Sequence, residues 1–167
     1  DVERVEVLRG PYYAIHGSGG AVIQVVTRAD ARPLAFAGTG SHGTFQGTLR
    51  FGGASSTGSY SFGGQYLTTR GDRANADATR WTGTARFTLG VDPRTALTLA
   101  VHHTSAESGL PGSTLFPSPL DRLGDGRTIF SLTWARSGSD GPEQQLRLWW
   151  FGDRLHFQSP GFVSDSE

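Results

Sequence analysis

Histidine and serine are the residues of this chain whose types most readily support catalysis or metal binding. His102 and His103 are adjacent, so in a strand they lie on opposite faces and cannot bind one metal ion together. The absence of Cys excludes thiolate metal sites. The many serines have no base and orienting group placed to indicate a catalytic set. We therefore predict that the protein is not an enzyme and that its histidines make polar contacts; a haem or metal role is the alternative.

The composition differs from that of an ordinary compact domain. Of the 167 residues, 24 are Gly and 36% are hydrophobic, and Cys and Met are absent. No run approaches the roughly 18–20 consecutive apolar residues of a membrane helix. The composition does not exclude strands that cross a membrane, because only every second residue of such a strand must be apolar. The formal net charge of zero gives no indication of a nucleic-acid partner.

From Leu34 onward, polarity alternates with the period of two that is typical of strands with one apolar and one polar side. The clearest example is Arg80–Leu89, where Trp, Gly, Ala, Phe and Leu alternate with Arg and Thr. Seven strands are predicted, at about 34–40, 45–51, 60–69, 80–89, 97–102, 127–136 and 145–150.

The connections between these strands alternate between short and long. Short turns rich in Gly, Ser, Asp or Pro are predicted at 54–59, 91–95 and 137–143, and longer loops at 71–79 and 105–126. This asymmetry is typical of bacterial outer-membrane barrels. The link at 41–44 is the exception, since it is short on the side that should carry long loops.

A soluble antiparallel sandwich has the same period of two and is the competing interpretation. Two features favour a membrane barrel. The predicted strands, at about ten residues, are longer than is usual in soluble sheets. The apolar side is also interrupted by Gly47, Gly64, Gly83 and Ala85, which suits a lipid-facing wall better than a close-packed interior.

The first 28 residues carry an ordered pair of motifs. Asp1–Pro11 reads DVERVEVLRGP, and Tyr13–Arg28 reads YAIHGSGGAVIQVVTR, in which a glycine cluster leads into a β-prone run. Together they resemble the end of the plug domain of TonB-dependent outer-membrane receptors, written hERhEVhRGP and LYGSxAxGGVINIxTK with h apolar. His16 and Gln24 depart from that pattern, and the glycine segment is about two residues shorter.

The resemblance implies an all-β fold, part of a 22-stranded antiparallel transmembrane β-barrel with the C-terminal end of an N-terminal plug domain. Residues 1–28 would belong to the plug, 29–33 to a linker and 34–167 to about the first seven barrel strands. Seven strands cannot close a barrel. We therefore expect the chain to be an internal piece of a longer protein, and transport to require the rest of it.

The resemblance also assigns roles within the plug. Arg9, and less directly Arg4, would lock the plug to glutamates of the barrel wall; a surface ion pair is the alternative for Arg4. The plug's glycine turn would comprise Gly10, Gly17, Gly19 and Gly20, which permit positive φ and close backbone approach.

The loop sequence Glu107–Pro119 is similar to one in receptors of the cobalamin-transporter type. The residues expected to face a ligand there are Leu110, Pro111, Phe116 and Pro117. A rigid surface loop without ligand contact is the competing interpretation.

Receptors of that type place calcium in an acidic loop, which here corresponds to Gly71–Asp77. The resemblance thus suggests Asp72, Asn75 and Asp77 as oxygen ligands of calcium, the one cofactor considered. Six to eight oxygens are needed, and Arg73 and Arg80 oppose a cation, so a solvated turn is the alternative.

The predicted function is therefore energy-coupled uptake of a large scarce nutrient, with a cobalamin-type ligand favoured, across the bacterial outer membrane. The expected partners are TonB of the TonB–ExbB–ExbD complex, the nutrient and outer-membrane lipid. The alternatives are a siderophore or haem receptor of the same family, a passive porin or adhesin, a barrel enzyme, a signalling receptor and a degenerate truncated copy.

Overall fold

The computed structural model describes residues 2–9, 21–27, 32–138, 142–160 and 162–166. The chain divides into two compact units, Asp1–Asp30 and Ala31–Glu167. In the described ranges all regular structure is β, apart from one turn of 3₁₀ helix at Ser41–Gly43. The all-β prediction is confirmed. No helix within these ranges is long and apolar enough to span a membrane.

The first unit contains an antiparallel strand pair. Strand β1 (Val2–Arg9) pairs with β2 (Ala21–Thr27), with Val5 opposite Val25 and Val7 opposite Ile23. Both strands are rich in β-branched residues, which pack well on a pleated surface. The two β-prone runs seen in the sequence thus form strands; their assignment to a plug domain stays a prediction.

The second unit is one antiparallel sheet in which every strand pairs with its neighbours in the chain. Its strands are β3 (Leu34–Thr39), β4 (Phe45–Ser55), β5 (Gly58–Thr69), β6 (Ala78–Asp92), β7 (Thr95–Gly109), β8 (Arg122–Arg136), β9 (Gln144–Ser159) and β10 (Phe162–Ser166). Strands β6 to β8 have 15 residues each and β9 has 16. The sheet is open, with β3 and β10 at its edges.

The seven predicted strands correspond to β3–β9, but the count of seven was wrong because β10 makes an eighth. Its sequence, FVSDS, is too short to show a period of two. The predicted loop 105–126 was also too long, since Ser105–Gly109 ends β7 and Arg122–Gly126 begins β8. Apart from Ala106 and Leu123, these strand ends are polar or glycine, so the apolar alternation that reveals a strand is missing there.

The connections lie at the two ends of the strands, and not at the edge strands β3 and β10. At the edge we call the short-turn edge, residues 56–57, 93–94 and 137–143 join the strands. At the opposite, long-loop edge, the connections are 40–44, 70–77, 110–121 and 160–161. The contrast between the edges therefore holds for β5–β6 and β7–β8, while the first and last long-loop connections are short.

One side of the sheet, the apolar face, carries large apolar residues in register across six strands. Aromatic rings meet there, with the Phe62 ring centroid 5.3 Å from those of both Phe51 and Phe87. The face comprises Phe45, Leu49, Phe51, Tyr60, Phe62, Tyr66, Trp81, Phe87, Leu89, Leu97, Leu99, Val101, Phe130, Leu132, Trp134, Leu146, Leu148 and Trp150.

The other side, the polar face, is mainly Thr, Ser, Gln and Arg between β4 and β7. Threonine hydroxyls form cross-strand hydrogen bonds on it, between Thr82 and Thr104 (3.3 Å) and between Thr88 and Thr98 (3.2 Å). Such pairs stabilise neighbouring strands without burying apolar area.

The apolar face has no cover among the described residues of the second unit. No hydrophobic side chain there is buried, and residues such as Leu49, Leu89 and Trp150 keep 55%, 55% and 59% of their surface exposed. A domain of this size normally buries a hydrophobic core. The large apolar side chains of this face therefore stay exposed in the described sheet.

The boundary of the apolar face on the side of the long-loop edge runs obliquely across the strands. It reaches Phe45 in β4 and Trp81 in β6, but stops at Trp150 in β9. Following the register from strand to strand, Phe45 is level with His156 of β9, which lies well beyond Trp150 towards the long-loop edge. The apolar region is a band inclined to the strands.

Candidate ligand site at the long-loop edge

The β7–β8 loop, residues 110–121, is closed by its own backbone. The Leu110 amide donates to the Asp121 carbonyl (2.9 Å), and the Ser118 amide to the Pro111 carbonyl (3.0 Å). Gly112 pairs with Pro117 and has a φ of 68°, which favours glycine. The loop is thus compact rather than extended.

The tip of this loop presents two large apolar side chains to the surrounding space. Leu115 is 83% exposed and Phe116 80% exposed. The Phe116 amide donates to the Ser113 hydroxyl (3.0 Å), which fixes the turn that carries the ring. Exposed apolar groups on an ordered loop are typical of contact surfaces.

Asn75, in the neighbouring β5–β6 loop, braces the β7–β8 loop from the side. Its side-chain NH₂ donates to the carbonyls of Ser118 (2.7 Å), Asp121 (2.8 Å) and Leu110 (3.3 Å). An amide has two N–H donors, so one is shared between two carbonyls. Asn75 has a φ of 58°, a left-handed conformation that Asn tolerates better than most residues. A single side chain therefore holds both ends of the loop.

Gly109 allows this close approach. A Cβ at Gly109 would lie 2.3 Å from the Asn75 carbonyl oxygen and 2.4 Å from its Oδ1. The Gly109 amide also donates to the Asp77 carbonyl (2.8 Å). The end of β7 and the β5–β6 loop are thus in contact through backbone.

Two polar side-chain contacts extend the brace. The Arg122 guanidinium donates to Asp77 Oδ1 (2.9 Å), and the Ser159 hydroxyl donates to Asp121 Oδ1 (2.7 Å). Residues 71–77, residues 110–121 and the end of β9 therefore form one connected surface, which we call the rim.

The four residues predicted to face a ligand all lie in the β7–β8 loop of the rim. Leu110 and Pro111 are partly buried at its base, whereas Phe116 and Pro117 are exposed towards its tip. Sequence reasoning missed Leu115 and the bracing partners Asn75, Arg122 and Ser159. Asn in a turn is a signal for positive φ, but partners up to 46 residues away leave no local pattern.

The three proposed calcium ligands have other partners or positions in the structure. Asp77 pairs with Arg122, and the Asn75 amide nitrogen faces carbonyls. Asp72 lies in the exposed bend of the loop. Among the described residues, no group of three or more His, Asp and Glu side chains is placed to share a metal ion. The calcium site stays a prediction.

The plug residues are less fully described. Arg4 and Arg9 lie in β1 opposite Val26 and Ala21, and their side chains are outside the described part of the structure. The glycines of the plug turn, Gly10, Gly17, Gly19 and Gly20, also lie outside the described residues.

The adjacent histidines lie on opposite faces, as predicted. His103 is on the apolar face, where its Nδ1 lies 2.8 Å from the Thr128 hydroxyl and its ring is 5.0 Å from that of Trp81. His102 lies on the polar face with its Nε2 3.1 Å from the Thr104 hydroxyl. Both are thus hydrogen-bonded side chains of the sheet.

No protein-family model matches the chain, and no solved structure matches it. The resemblance of residues 1–28 to TonB-dependent receptors is therefore carried by those residues alone.

Proposed function

We propose that the chain forms part of the wall of a transmembrane β-barrel in a bacterial outer membrane. The observation that carries the proposal is the uncovered apolar face of β4–β9, since no hydrophobic side chain of the described residues is buried. Lipid tails supply the apolar surrounding that this face requires. Further strands would close the sheet and satisfy the edges at β3 and β10.

The inclination of the apolar band supports the same proposal. Barrel strands tilt by about 35–45° to the membrane normal, so a horizontal lipid layer crosses the strand ladder obliquely. A membrane-spanning strand needs about 9–11 residues, and β6–β9 have 15 or 16. The polar ends of β7–β9 would then rise above the lipid and carry the rim.

The motifs of residues 1–28 favour a TonB-dependent receptor among outer-membrane barrels, since passive porins and adhesins have no plug domain. In this proposal the rim contacts a large scarce nutrient, TonB acts on the plug, and the nutrient enters through the barrel. The β7–β8 loop favours a cobalamin-type ligand; a siderophore or haem is the alternative ligand of the same kind of receptor.

Spin labels at two adjacent residues of β6 test the proposal that the sheet is part of a barrel wall. Arg86 and Phe87 occupy the polar and apolar faces, and the chain contains no Cys. We expect a nitroxide at Phe87→Cys, in the full-length protein in lipid vesicles, to be relaxed by oxygen dissolved in lipid. A nitroxide at Arg86→Cys should respond to a water-soluble nickel chelate. The same response at both positions would refute the proposal that the sheet is part of a barrel wall.

Titration of the purified full-length protein with cyanocobalamin, with and without calcium, tests the ligand. Saturable nanomolar binding supports the cobalamin assignment, and calcium dependence supports the Asp72–Asn75–Asp77 site. Absence of binding by a folded, heat-modifiable protein would contradict the cobalamin assignment and favour a siderophore or haem.

A further inference from the structure

The polar face changes character between β8 and β9. From β4 to β7 it is mainly hydroxyl, amide and arginine side chains, but on β8 and β9 large apolar groups appear. These are Leu123, Ile129, Trp149, Phe151, Leu155 and Phe157. β9 is thus apolar on both faces in its middle, where the sequence runs Leu146-Arg147-Leu148-Trp149-Trp150-Phe151.

Trp149 and Phe151 form the centre of this patch. Their ring centroids are 5.7 Å apart and their planes differ by 22°, so the two rings are stacked nearly parallel. Both are well exposed, Trp149 at 65% and Phe151 at 56%. Exposed aromatic rings are unfavourably hydrated, and a ring-bearing ligand that covers them would remove that cost.

Charged side chains stand on both sides of the ring pair along β9. Asp153 follows Phe151 on the same face and forms a two-point ion pair with Arg127, at 2.6 Å from Nε and 3.0 Å from Nη2. Arg147 precedes Trp149 on that face, about 7 Å along the strand. Within the described part of the chain, no carboxylate pairs with Arg147.

We propose that Trp149 and Phe151 are a binding platform for an anionic, ring-bearing solute. A flat ring packs against the exposed surfaces of these two side chains, its anionic group reaches Arg147, and the fixed Arg127–Asp153 pair limits the opposite end. The inference rests on the proposed function, because it requires the polar face to line the barrel's interior.

Trp150 provides a matched control. It is adjacent to Trp149 and similarly exposed, at 59%, but it lies on the apolar face opposite Phe130. Substitution of either tryptophan removes the same side chain from the same strand. Only Trp149 belongs to the platform.

Accessibility of single-cysteine variants tests where the platform lies. In the full-length protein in lipid vesicles, a nitroxide at Trp149→Cys should respond to the nickel chelate and one at Trp150→Cys to oxygen. Relaxation by oxygen at position 149 would overturn the proposal of a barrel wall and, with it, the proposal of the platform. Shielding of position 149 from both reagents would show that another protein segment covers the rings, which overturns the platform alone.

Binding tests what the platform holds. The probes are cyanocobalamin, haemin and a ferric tricatecholate complex, each of which combines rings with anionic groups. For the probe that binds the wild-type protein, Trp149→Ala should weaken affinity on the order of tenfold, and Trp150→Ala should leave it unchanged. Arg147→Gln should weaken affinity and reduce its dependence on salt.

Equal affinities of the Trp149→Ala and wild-type proteins would overturn the platform while the wall assignment stands. Absence of binding by all three probes to a folded wild-type protein would also overturn it. Retained heat-modifiability of each variant excludes misfolding as the cause of a loss.

Discussion

The amide nitrogen of Asn75 lies 2.7 Å from the carbonyl oxygen of Ser118, which joins two loops that are remote in sequence. The same nitrogen also reaches the Leu110 carbonyl, at the other end of the β7–β8 loop (3.3 Å). The loop that exposes Leu115 and Phe116 is therefore held by a residue outside it. A ligand that contacts these side chains meets a preorganised surface, which lowers the entropy lost on binding.

Removal of the Asn75 side chain should loosen the β7–β8 loop. Asn75→Ala removes the side-chain donor of the partly buried Ser118 and Leu110 carbonyls, at a cost of about 1–3 kcal/mol, while the Asp121 carbonyl keeps the Leu110 amide as a donor. We expect faster chymotrypsin cleavage after the exposed Leu115, since Pro117 prevents cleavage after Phe116. His42→Ala is the control, because His42 also has a φ of 58° but lies in the β3–β4 link. Equal cleavage rates of the Asn75→Ala and wild-type proteins would contradict the brace.

A methyl group at Gly109, at the end of β7, should also disrupt the contact of Asn75 with the β7–β8 loop. The new Cβ would lie 2.3 Å from the Asn75 carbonyl oxygen, so the β5–β6 loop must shift. Such overpacking costs about 1–3 kcal/mol. Gly64→Ala is the control, since no atom lies within 4 Å of its added Cβ. Urea unfolding in lipid vesicles should show a lower midpoint for Gly109→Ala alone.

The β6–β7 turn should be sensitive to acid through Asp92. Its carboxylate accepts a hydrogen bond from the Arg94 amide (2.8 Å), and this bond, followed by one from the Thr95 side chain, lowers the pKa of Asp92 below 3.8. A lowered pKa means that the ionised form favours the folded state. The stabilisation is therefore present above about pH 4 and is lost as pH falls through the lowered pKa.

The unfolding midpoints of wild-type and Asp92→Ala proteins measure this effect. The difference should be largest near neutral pH and shrink below pH 3.8, the ordinary value for this carboxyl. Asp92→Asn retains an acceptor but does not titrate, so it should lose less stability and show less dependence on pH. A difference between Asp92→Ala and wild type that is constant with pH would contradict the role of the carboxylate.

Arg9 should lock the plug if residues 1–28 belong to a TonB-dependent receptor. We expect Arg9→Ala in the full-length protein to raise the sensitivity of cells to large antibiotics, because a loosened plug leaves a path through the barrel. Arg94→Ala, at the short-turn edge, is the control at matched expression. Unchanged sensitivity of the Arg9→Ala strain would refute the locking role.

Local pattern predicted the sheet well and the rim poorly. The strict alternation of Arg80–Leu89 marks β6 because side chains on each face have one chemical character. By contrast, β7 continues through Ser105–Gly109, where hydrogen bonds to β8 and not apolar side chains define the strand. Such pairing depends on residues far along the chain and leaves no period in the sequence.

The site shows the same division. The exposed positions of Phe116 and Pro117 follow from the sequence of their own loop, and their contact with a ligand stays a prediction. The hydrogen bonds of Asn75 and the face on which Trp149 lies were not predicted. Asn75 acts through carbonyls in another loop, and Trp149 differs from Trp150 only by the face on which the register places it.

Accumulation of labelled cyanocobalamin by cells that express the full-length protein tests the proposed function most directly. The measurement compares cells with and without TonB, at equal amounts of the protein in the outer membrane. We predict accumulation that requires both the protein and TonB. Accumulation that is equal without TonB, or absent although the protein is folded in the membrane, would contradict TonB-dependent uptake of a cobalamin-type ligand.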